Sequence, residues 1–253
     1  MKIGIITGAS AGLGIELLRA AVKRCPDIDT YWLIARRKDR LEALKTEFPE
    51  KTLRAVPLDL TKEESFNTLL DLLKAEKPEV KLLVNNAGMG KLCDFDTADR
   101  ESQLTQVDLN CRALTAVTHT CLPYMTKGSA VINISSIASF APTPRMTVYC
   151  STKAYVQSFS RALREELKPK GINVLAVCPG PMDTEFLGVA GCETGKSRTF
   201  DMLPHQNPTK MANCAVRDAL RGKSVSTMGP FYNLYRILAH ILPKCILMKF
   251  TRC

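Results

Sequence analysis

The sequence predicts a single α/β domain, a doubly wound parallel sheet of about seven strands with helices on both faces. Three observations point there. Short, almost continuously apolar runs recur along the chain, stretches with apolar residues at helical spacing separate them, and the first run enters a glycine-rich turn where a helix begins. Strands apolar on both sides need cover on both sides, and parallel neighbours need a crossover between them. Right-handed crossovers then leave the doubly wound sheet as the economical topology.

The strand-like runs are Ile3–Thr7, Tyr31–Ala35, Thr52–Pro57, Lys81–Asn85, Ala130–Ile134, Ile172–Cys178 and, more weakly, Ser224–Met228. Between the first two, Gly12–Lys23 sets Leu13, Leu17, Leu18 and Ala21 on one helical face. Arg37–Phe48 repeats the pattern with Leu41, Leu44 and Phe48, and Arg100–Met125 reads as one long helix. No repeat, low-complexity tract or domain linker interrupts the order. The least regular stretch, Gly180–Pro208, reads as a long loop or lid, because helix and strand signals resume beyond it.

Composition agrees with one globular unit. The chain has 253 residues, 45% apolar and 24% charged, enough to bury a full core without disulfides or a structural metal. Its ten cysteines are scattered with no Cys-x-x-Cys pair, so no metal ligand set is expected and the thiols read as small buried hydrophobes. The N-terminal apolar run is too short for a signal-peptide core, and no stretch is long enough to span a bilayer. A cytoplasmic location is the expectation. The net charge of +10 raises the question of an acidic partner, but no aromatic–basic stripe of a nucleic-acid module accompanies it.

Thr7-Gly8-Ala9-Ser10-Ala11-Gly12-Leu13-Gly14 lies between the first strand and the first helix. Glycines there permit a tight turn and close approach of backbone to a pyrophosphate, at which the helix N-terminus directs N–H groups and partial positive charge. At the end of the second strand, where a carboxylate would hold a ribose 2′-hydroxyl, the chain has Ala35, followed by Arg36 and Arg37. A 2′-phosphate meets no repulsion there, and a guanidinium can bind it through paired hydrogen bonds. Arg36 is the first candidate, with Ser10 assisting and Arg37 second. Further along, Tyr149-Cys150-Ser151-Thr152-Lys153 places a phenol and an ammonium one helical turn apart, where the cation can favour the phenolate.

The Gly-x-x-x-Gly-x-Gly spacing resembles the short-chain dehydrogenase/reductase family, a Rossmann-type fold. Asn85-Asn86-Ala87-Gly88 after the fourth strand, Asp59 after the third, and Pro179-Gly180 followed by Thr184 also resemble it, over about residues 1–185. The resemblance implies a cofactor-binding and catalytic core in 1–185 and a substrate lid plus basic C-terminal segment in 186–253. It assigns Gly8, Ser10, Gly12, Leu13, Gly14, Asp59 (adenine), Asn86, Ala87, Gly88, Pro179, Gly180 and Thr184 (carboxamide) to a dinucleotide. The arginines favour NADP(H) over NAD(H), although Ala11 stands where some NADP-using relatives carry a basic residue. Tyr149 is implied as the proton donor and acceptor, Lys153 as its partner and ribose ligand, Ser136 as the group holding the substrate oxygen. Asn110 is implied to distort its helix and hold a water linking lysine to solvent. Together these imply ketone–secondary alcohol interconversion.

The family's pocket segments here supply Ala138, Phe140, Pro142, Pro144 and Met146, then Met89, Leu92 and Cys93, and finally Met182, Phe186, Leu187, Val189, Phe200, Met202 and Leu203. Phe140, Met182 and Phe186 are the main candidates for substrate contact, and carboxylate-binding arginines are scarce there, with Arg145 and Arg198 the exceptions. Such a lining suits a sizeable apolar carbonyl compound such as a steroid, bile acid or fatty-acyl ketone. A 3-oxoacyl-carrier-protein reductase is the alternative enzyme, and a non-catalytic NADP(H) sensor the alternative of another class. Homodimers or homotetramers are expected from the family. From Ala219 onward six basic residues and no acidic one accompany an amphipathic Phe231–Leu242, which can pack on protein, cover the pocket or rest on an anionic membrane.

Overall fold

The computed structural model describes residues 1–192 and 201–250, with side chains as far as Met248. Phe200 and Arg198 lie outside the described residues. Seven parallel strands form one sheet in the order β3-β2-β1-β4-β5-β6-β7. They are β1 (Lys2–Thr7), β2 (Thr30–Ala35), β3 (Thr52–Pro57), β4 (Glu79–Asn85), β5 (Ala130–Ile134), β6 (Asn173–Val177) and β7 (Val225–Ser226). The chain starts in the middle of the sheet, winds outward to β3, then returns past β1 to build the other half. The switch point between β1 and β4 is where such sheets open a crevice at their carboxyl ends.

Alternate residues of each strand enter two separate cores, which is why the strands are apolar throughout. Ile6, Leu33, Val84, Ile132 and Leu175 face one side, packed with Leu17 and Leu18 of α1 (Gly12–Arg24) and Met211 and Val216 of a helix near the C-terminus. Ile5, Trp32, Leu83, Val131 and Val174 face the other, against Leu69 and Leu73 of α3 (Glu63–Glu76), Val117 of α5 (Ala113–Cys121) and Leu163 of α6 (Thr147–Leu167). The period of two along a strand thus sorts one apolar run into two layers.

Two expected helices are shorter than their apolar spacing suggests. The Arg37–Phe48 pattern divides into α2 (Lys38–Ala43) and a tighter 3₁₀ turn, Leu44–Glu47. Arg100–Met125 is not one regular helix. α4 (Arg100–Val107) passes through a π-helical turn, Asp108–Arg112, into α5 and then a 3₁₀ turn, Leu122–Tyr124. Beyond β6 come α7 (Glu185–Ala190), α8 (Pro208–Leu220), β7, α9 (Pro230–Ile241) and α10 (Lys244–Phe250). α8 lies against α1 and completes one face of the sheet, so the segment after 186 contributes core as well as loop. The seventh strand has two residues where five were expected. Nine described cysteines are free thiols, and no helix of the described residues is long and apolar enough to cross a membrane.

Candidate active site

One cleft of about 730 Å³ runs along the carboxyl ends of the strands. At one end lie Gly8, Ser10, Gly12, Leu13, Arg36, Arg37 and Asp59, in the middle Asn86, Ala87, Gly88, Ser136, Tyr149, Lys153, Pro179, Gly180 and Thr184, and at the other end an apolar lining. The catalytic, cofactor and main substrate-contact candidates therefore converge on one space, except for Gly14, Asn110 and Phe140.

The glycine turn is held by its neighbours. Gly8 and Gly12 have left-handed backbone, φ +66° and +51°. A Cβ at Gly8 would lie 2.9 Å from the Ala87 backbone, and one at Gly12 3.1 Å from Thr184 Cβ. Asn86 Nδ2 donates to the Thr7 and Gly8 carbonyls, each at 3.1 Å, and Thr7 Oγ1 accepts from the Asn86 and Ala87 N–H groups, each at 3.0 Å. Asn86 thus braces the turn through its side-chain Nδ2 and its backbone N–H. Gly14 does not line the cleft; a Cβ there would collide with the Gly8 carbonyl, so its service is close helix–turn packing. The first turn of α1 has no side-chain cap and no acidic residue, leaving its N–H groups for an anion.

At the far end of that turn, the two arginines differ. Arg37 donates to Ser10 Oγ through Nη2 at 3.2 Å and to Glu185 Oε2 through Nη1 at 3.0 Å, and Arg40 also binds the Glu185 carboxylate. Those hydrogen bonds from Arg40 and Arg37 hold the Glu185 carboxyl below its ordinary range. Arg36 is exposed and lines the cleft beside Asp59. Burial would raise the Asp59 carboxyl, but hydrogen bonds from Thr61 N and Oγ1, at 3.0 and 2.8 Å, and the nearby Arg36 hold it down.

The middle of the cleft is built from β5, α6 and the π turn. Ser136 follows β5, and its Oγ accepts from Ala138 N at 3.1 Å. Its hydroxyl is near enough to that of Tyr149 to act on the phenol, favouring its ionised form. Tyr149 and Lys153 stand one turn apart on α6, both buried, with Lys153 Nζ 5.7 Å from the phenol ring centroid. Lys153 Nζ donates to the Ile134 carbonyl at 2.9 Å, while Ser135 Oγ donates to the Lys153 carbonyl at 2.8 Å. Burial lowers the ammonium pKa to about 8. Burial also pushes the phenol above its ordinary value, with the Ser136 hydroxyl opposing. The expected lowering of Tyr149 by Lys153 is therefore absent here: at this separation, loss of water outweighs the ammonium's attraction.

Asn110 does not line the cleft but sits behind it in the π turn. Its Oδ1 accepts from Met89 N at 2.9 Å, and its Nδ2 donates to Met89 O at 2.8 Å and Thr152 Oγ1 at 2.9 Å. A Cβ at Gly88 would lie 3.0 Å from Asn110 Oδ1 and 3.2 Å from Lys153 Nζ, so glycine keeps the approach between those groups clear. The wide turn is the price of aiming this amide inward, a common use of π turns at functional sites.

Met89, Ala138, Met146, Met182, Phe186, Leu187, Val189 and Leu203 line the apolar end, joined by Phe231 and Tyr235 of α9. Phe140 does not. The 3₁₀ turn Ile137–Ser139 carries it beneath the C-terminal helices, where it packs with Cys178, Ala239 and Leu247 and meets the Tyr235 ring at 6.0 Å. Pro142, Pro144, Leu92, Cys93 and Met202 also fall outside the lining. Cys150 packs with Met146, Tyr149 and Cys192, and burial pushes its thiol up.

Sequence reasoning missed four supports. Thr152 holds Asn110, and Ser135 holds the lysine backbone. Gly90 admits Tyr149, whose Cδ2 a Cβ would approach to 2.8 Å. Gln206 Oε1 accepts from Gly180 N at 2.9 Å while its Nε2 donates to Met228 O at 2.6 Å. The Ser135-Ser136 doublet and the second glycine after Asn-Asn-Ala-Gly were visible signals; Gln206, inside an irregular stretch, gave none.

The short chain dehydrogenase profile matches residues 2–191. Sulfoacetaldehyde reductase 2 of Chromohalobacter salexigens is 36% identical over 193 residues, 73% of this chain and 74% of that protein. Serine 3-dehydrogenase of Agrobacterium fabrum is 35% identical over 188 residues, 72% of each. Among solved structures, a short-chain dehydrogenase from Sphingobium yanoikuyae in complex with NADPH superposes with a TM-score of 0.79 at 26% identity, covering 96% of this chain and 97% of that one. The closed form of serine dehydrogenase with NADP+ gives 0.79 at 28% identity, covering 91% and 95%. With the profile spanning most of its length, the glycine turn and Tyr–Lys pair converging on one cleft and the π-turn asparagine behind it, this chain belongs to the short-chain dehydrogenase/reductase family of oxidoreductases.

Proposed function

We propose that the protein is an NADP(H)-dependent oxidoreductase that interconverts a ketone and a secondary alcohol on a sizeable apolar substrate, of the steroid or bile-acid kind. The observation that carries this reading is that Ser136 and Tyr149 line one cleft together with the glycine-turn cradle and an apolar cavity. NADP(H) fits the cradle: Gly8 and Gly12 leave room, the α1 N-terminus is uncapped, and no carboxylate ends β2. The α1 N–H groups, Thr184 and Lys153 would hold it, with Arg36 and Ser10 at a 2′-phosphate. Arg36 is preferred to Arg37 because Arg37 is already engaged by Ser10 and Glu185.

The bound nicotinamide supplies or accepts the hydride at the substrate carbon. In reduction, the Ser136 and Tyr149 hydroxyls donate hydrogen bonds to the carbonyl oxygen, withdrawing charge as it develops. Tyr149 then gives its proton to that oxygen, completing the alcohol, and the Lys153 ammonium favours the phenolate left behind. Burial raises the phenol and so keeps its proton in place, which suits a proton donor. Asn110, tied to Met89 and Thr152, positions the wall behind Lys153 and connects it to solvent through a water.

The substrates named for the two curated relatives are small and polar. Among the described lining residues, Lys153 is the only cation outside the Arg36–Arg37 end, so no described arginine lines the apolar end to meet a sulfonate or carboxylate. Methionines and phenylalanine supply adaptable contact instead. NADPH oxidation with a panel of steroid ketones, bile acids, fatty-acyl ketones, acyl thioesters, sulfoacetaldehyde and serine (in the oxidative direction) tests the reading. A higher kcat/KM for the bulky apolar ketones is expected; a higher value for acyl thioesters or the small polar compounds overturns the substrate class.

A further inference from the structure

α9 is apolar on two faces, and the fold uses only one. Inward, Tyr232 and Ala239 are buried, Tyr235 packs beside Phe140, and the Tyr232 hydroxyl donates to the Pro204 carbonyl at 2.6 Å. Outward, Phe231, Leu234, Leu238 and Ile241 follow each other at spacings of three, four and three, with Ile237 beside them. These five are 41% to 70% exposed, and Ile246 of α10 is 42% exposed. Only Asn233, Arg236 and His240 interrupt the apolar circumference. A helix apolar on both sides belongs between two apolar bodies, and an exposed patch of this kind marks a docking surface.

Charge identifies the second body. From Ala219 to Cys253 the sequence has Arg221, Lys223, Arg236, Lys244, Lys249 and Arg252 and no acidic residue. Lys244 is spent inside the molecule, donating to the Phe140 and Ala239 carbonyls at 2.7 and 2.6 Å, and Lys223 pairs with Asp218 at 3.1 Å. Among the described side chains that leaves Arg221 and Arg236, which offer nothing to a second copy of the same segment, since a symmetric contact would set cation against cation. An anionic bilayer satisfies both demands, taking the apolar side chains below its headgroups and the cations among them.

We propose that the outer face of α9, continued by Ile246, docks on a lipid surface bearing anionic headgroups. Phe231 and Tyr235 belong to this helix and also line the cleft, so docking sets the cavity mouth against the bilayer. An apolar ketone dissolved in lipid then reaches Tyr149 without crossing bulk water. That delivery rests on the proposed function; the docking does not.

Flotation of the full chain with phosphatidylcholine vesicles, with and without phosphatidylglycerol, tests the surface. The protein is expected to float with the anionic vesicles, to be weakened by added salt, and to remain behind with the neutral ones. The double substitution Leu234→Glu, Ile241→Glu, on side chains outside the cleft, is expected to cut the bound fraction roughly tenfold or more while NADPH binding is kept. No flotation of the wild-type chain with either vesicle overturns the proposal, without recourse to a variant. Equal flotation with both vesicles overturns the anionic part, and a dimer that dissociates in the double variant assigns the face to a second copy instead. An enzyme inactive on every ketone that still floats leaves docking standing and removes the proposed function alone.

Discussion

The two ends of the cleft are built on opposite terms. At the glycine end, side chains pin backbone in fixed directions: Asn86 spans the Thr7 and Gly8 carbonyls, Thr7 Oγ1 takes two N–H groups, and Arg37 holds Ser10. At the apolar end, Met89, Met146, Met182, Phe186 and Leu203 offer contact without direction. Hydrogen bonds demand particular atoms at particular spacings, so they restrict which residues can serve. Apolar contact asks only for volume, and many residues provide it. One end therefore fixes a reaction, while the other admits a class of substrates.

The largest test lies where the two ends meet. Tyr149→Phe keeps the ring contact with Phe186, whose centroid is 5.8 Å away, and deletes only the hydroxyl. With the proton donor gone, kcat should fall about 10²–10⁴-fold, while NADPH affinity, measured by fluorescence titration, stays nearly unchanged. Turnover at the wild-type rate would remove the phenol from the chemistry and leave the cleft a binding site.

Arg36→Asp sharpens the comparison at the glycine end. A carboxylate there repels a 2′-phosphate and can accept a ribose 2′-hydroxyl, so the ratio of NADPH to NADH kcat/KM should drop roughly 10–100-fold. The ketone preference, set at the apolar end, should not move. An unchanged cofactor ratio would transfer the phosphate contact to another residue, with Arg37 the next to test.

The same contrast explains what could be read before the fold was known. Gly8, Gly12, Tyr149 and Lys153 were legible because backbone geometry and hydrogen bonding tie them to fixed intervals, Ser136 only through the family resemblance, and all five line the cleft. Phe140 was misplaced because its apolar character suits a cavity wall and a core equally; only the turn before it decides. The two-residue length of β7 was likewise hidden, since an apolar stretch at a sheet edge does not record how much of it pairs. Nor could spacing foretell the Tyr149 phenol. A lysine at i+4 gives proximity, but burial, which depends on the packing of distant segments, dominates the result. Nor did the sequence, which put Arg36 first and Arg37 second, signal that Glu185, far along the chain, engages Arg37.

Glu185 gives the smallest and most discriminating test, because it crosses the division. It opens α7, among residues of the substrate loop, yet its carboxylate reaches back to Arg37 and Arg40 at the glycine end. All three side chains are substantially exposed, so solvent screens the pairs and their worth is small. Glu185→Gln removes an anion beside the 2′-phosphate position and frees Arg37 to turn toward it. NADPH should bind about two- to fivefold more tightly, NADH should be unaffected, and the gain should fade as added salt screens the cluster. If the pairs instead hold the substrate loop over bound cofactor, NADPH will bind more weakly and NADH will weaken in parallel, because the two differ only in the 2′-phosphate. The sign of one small change in affinity therefore separates a competing anion from a clasp joining the two ends.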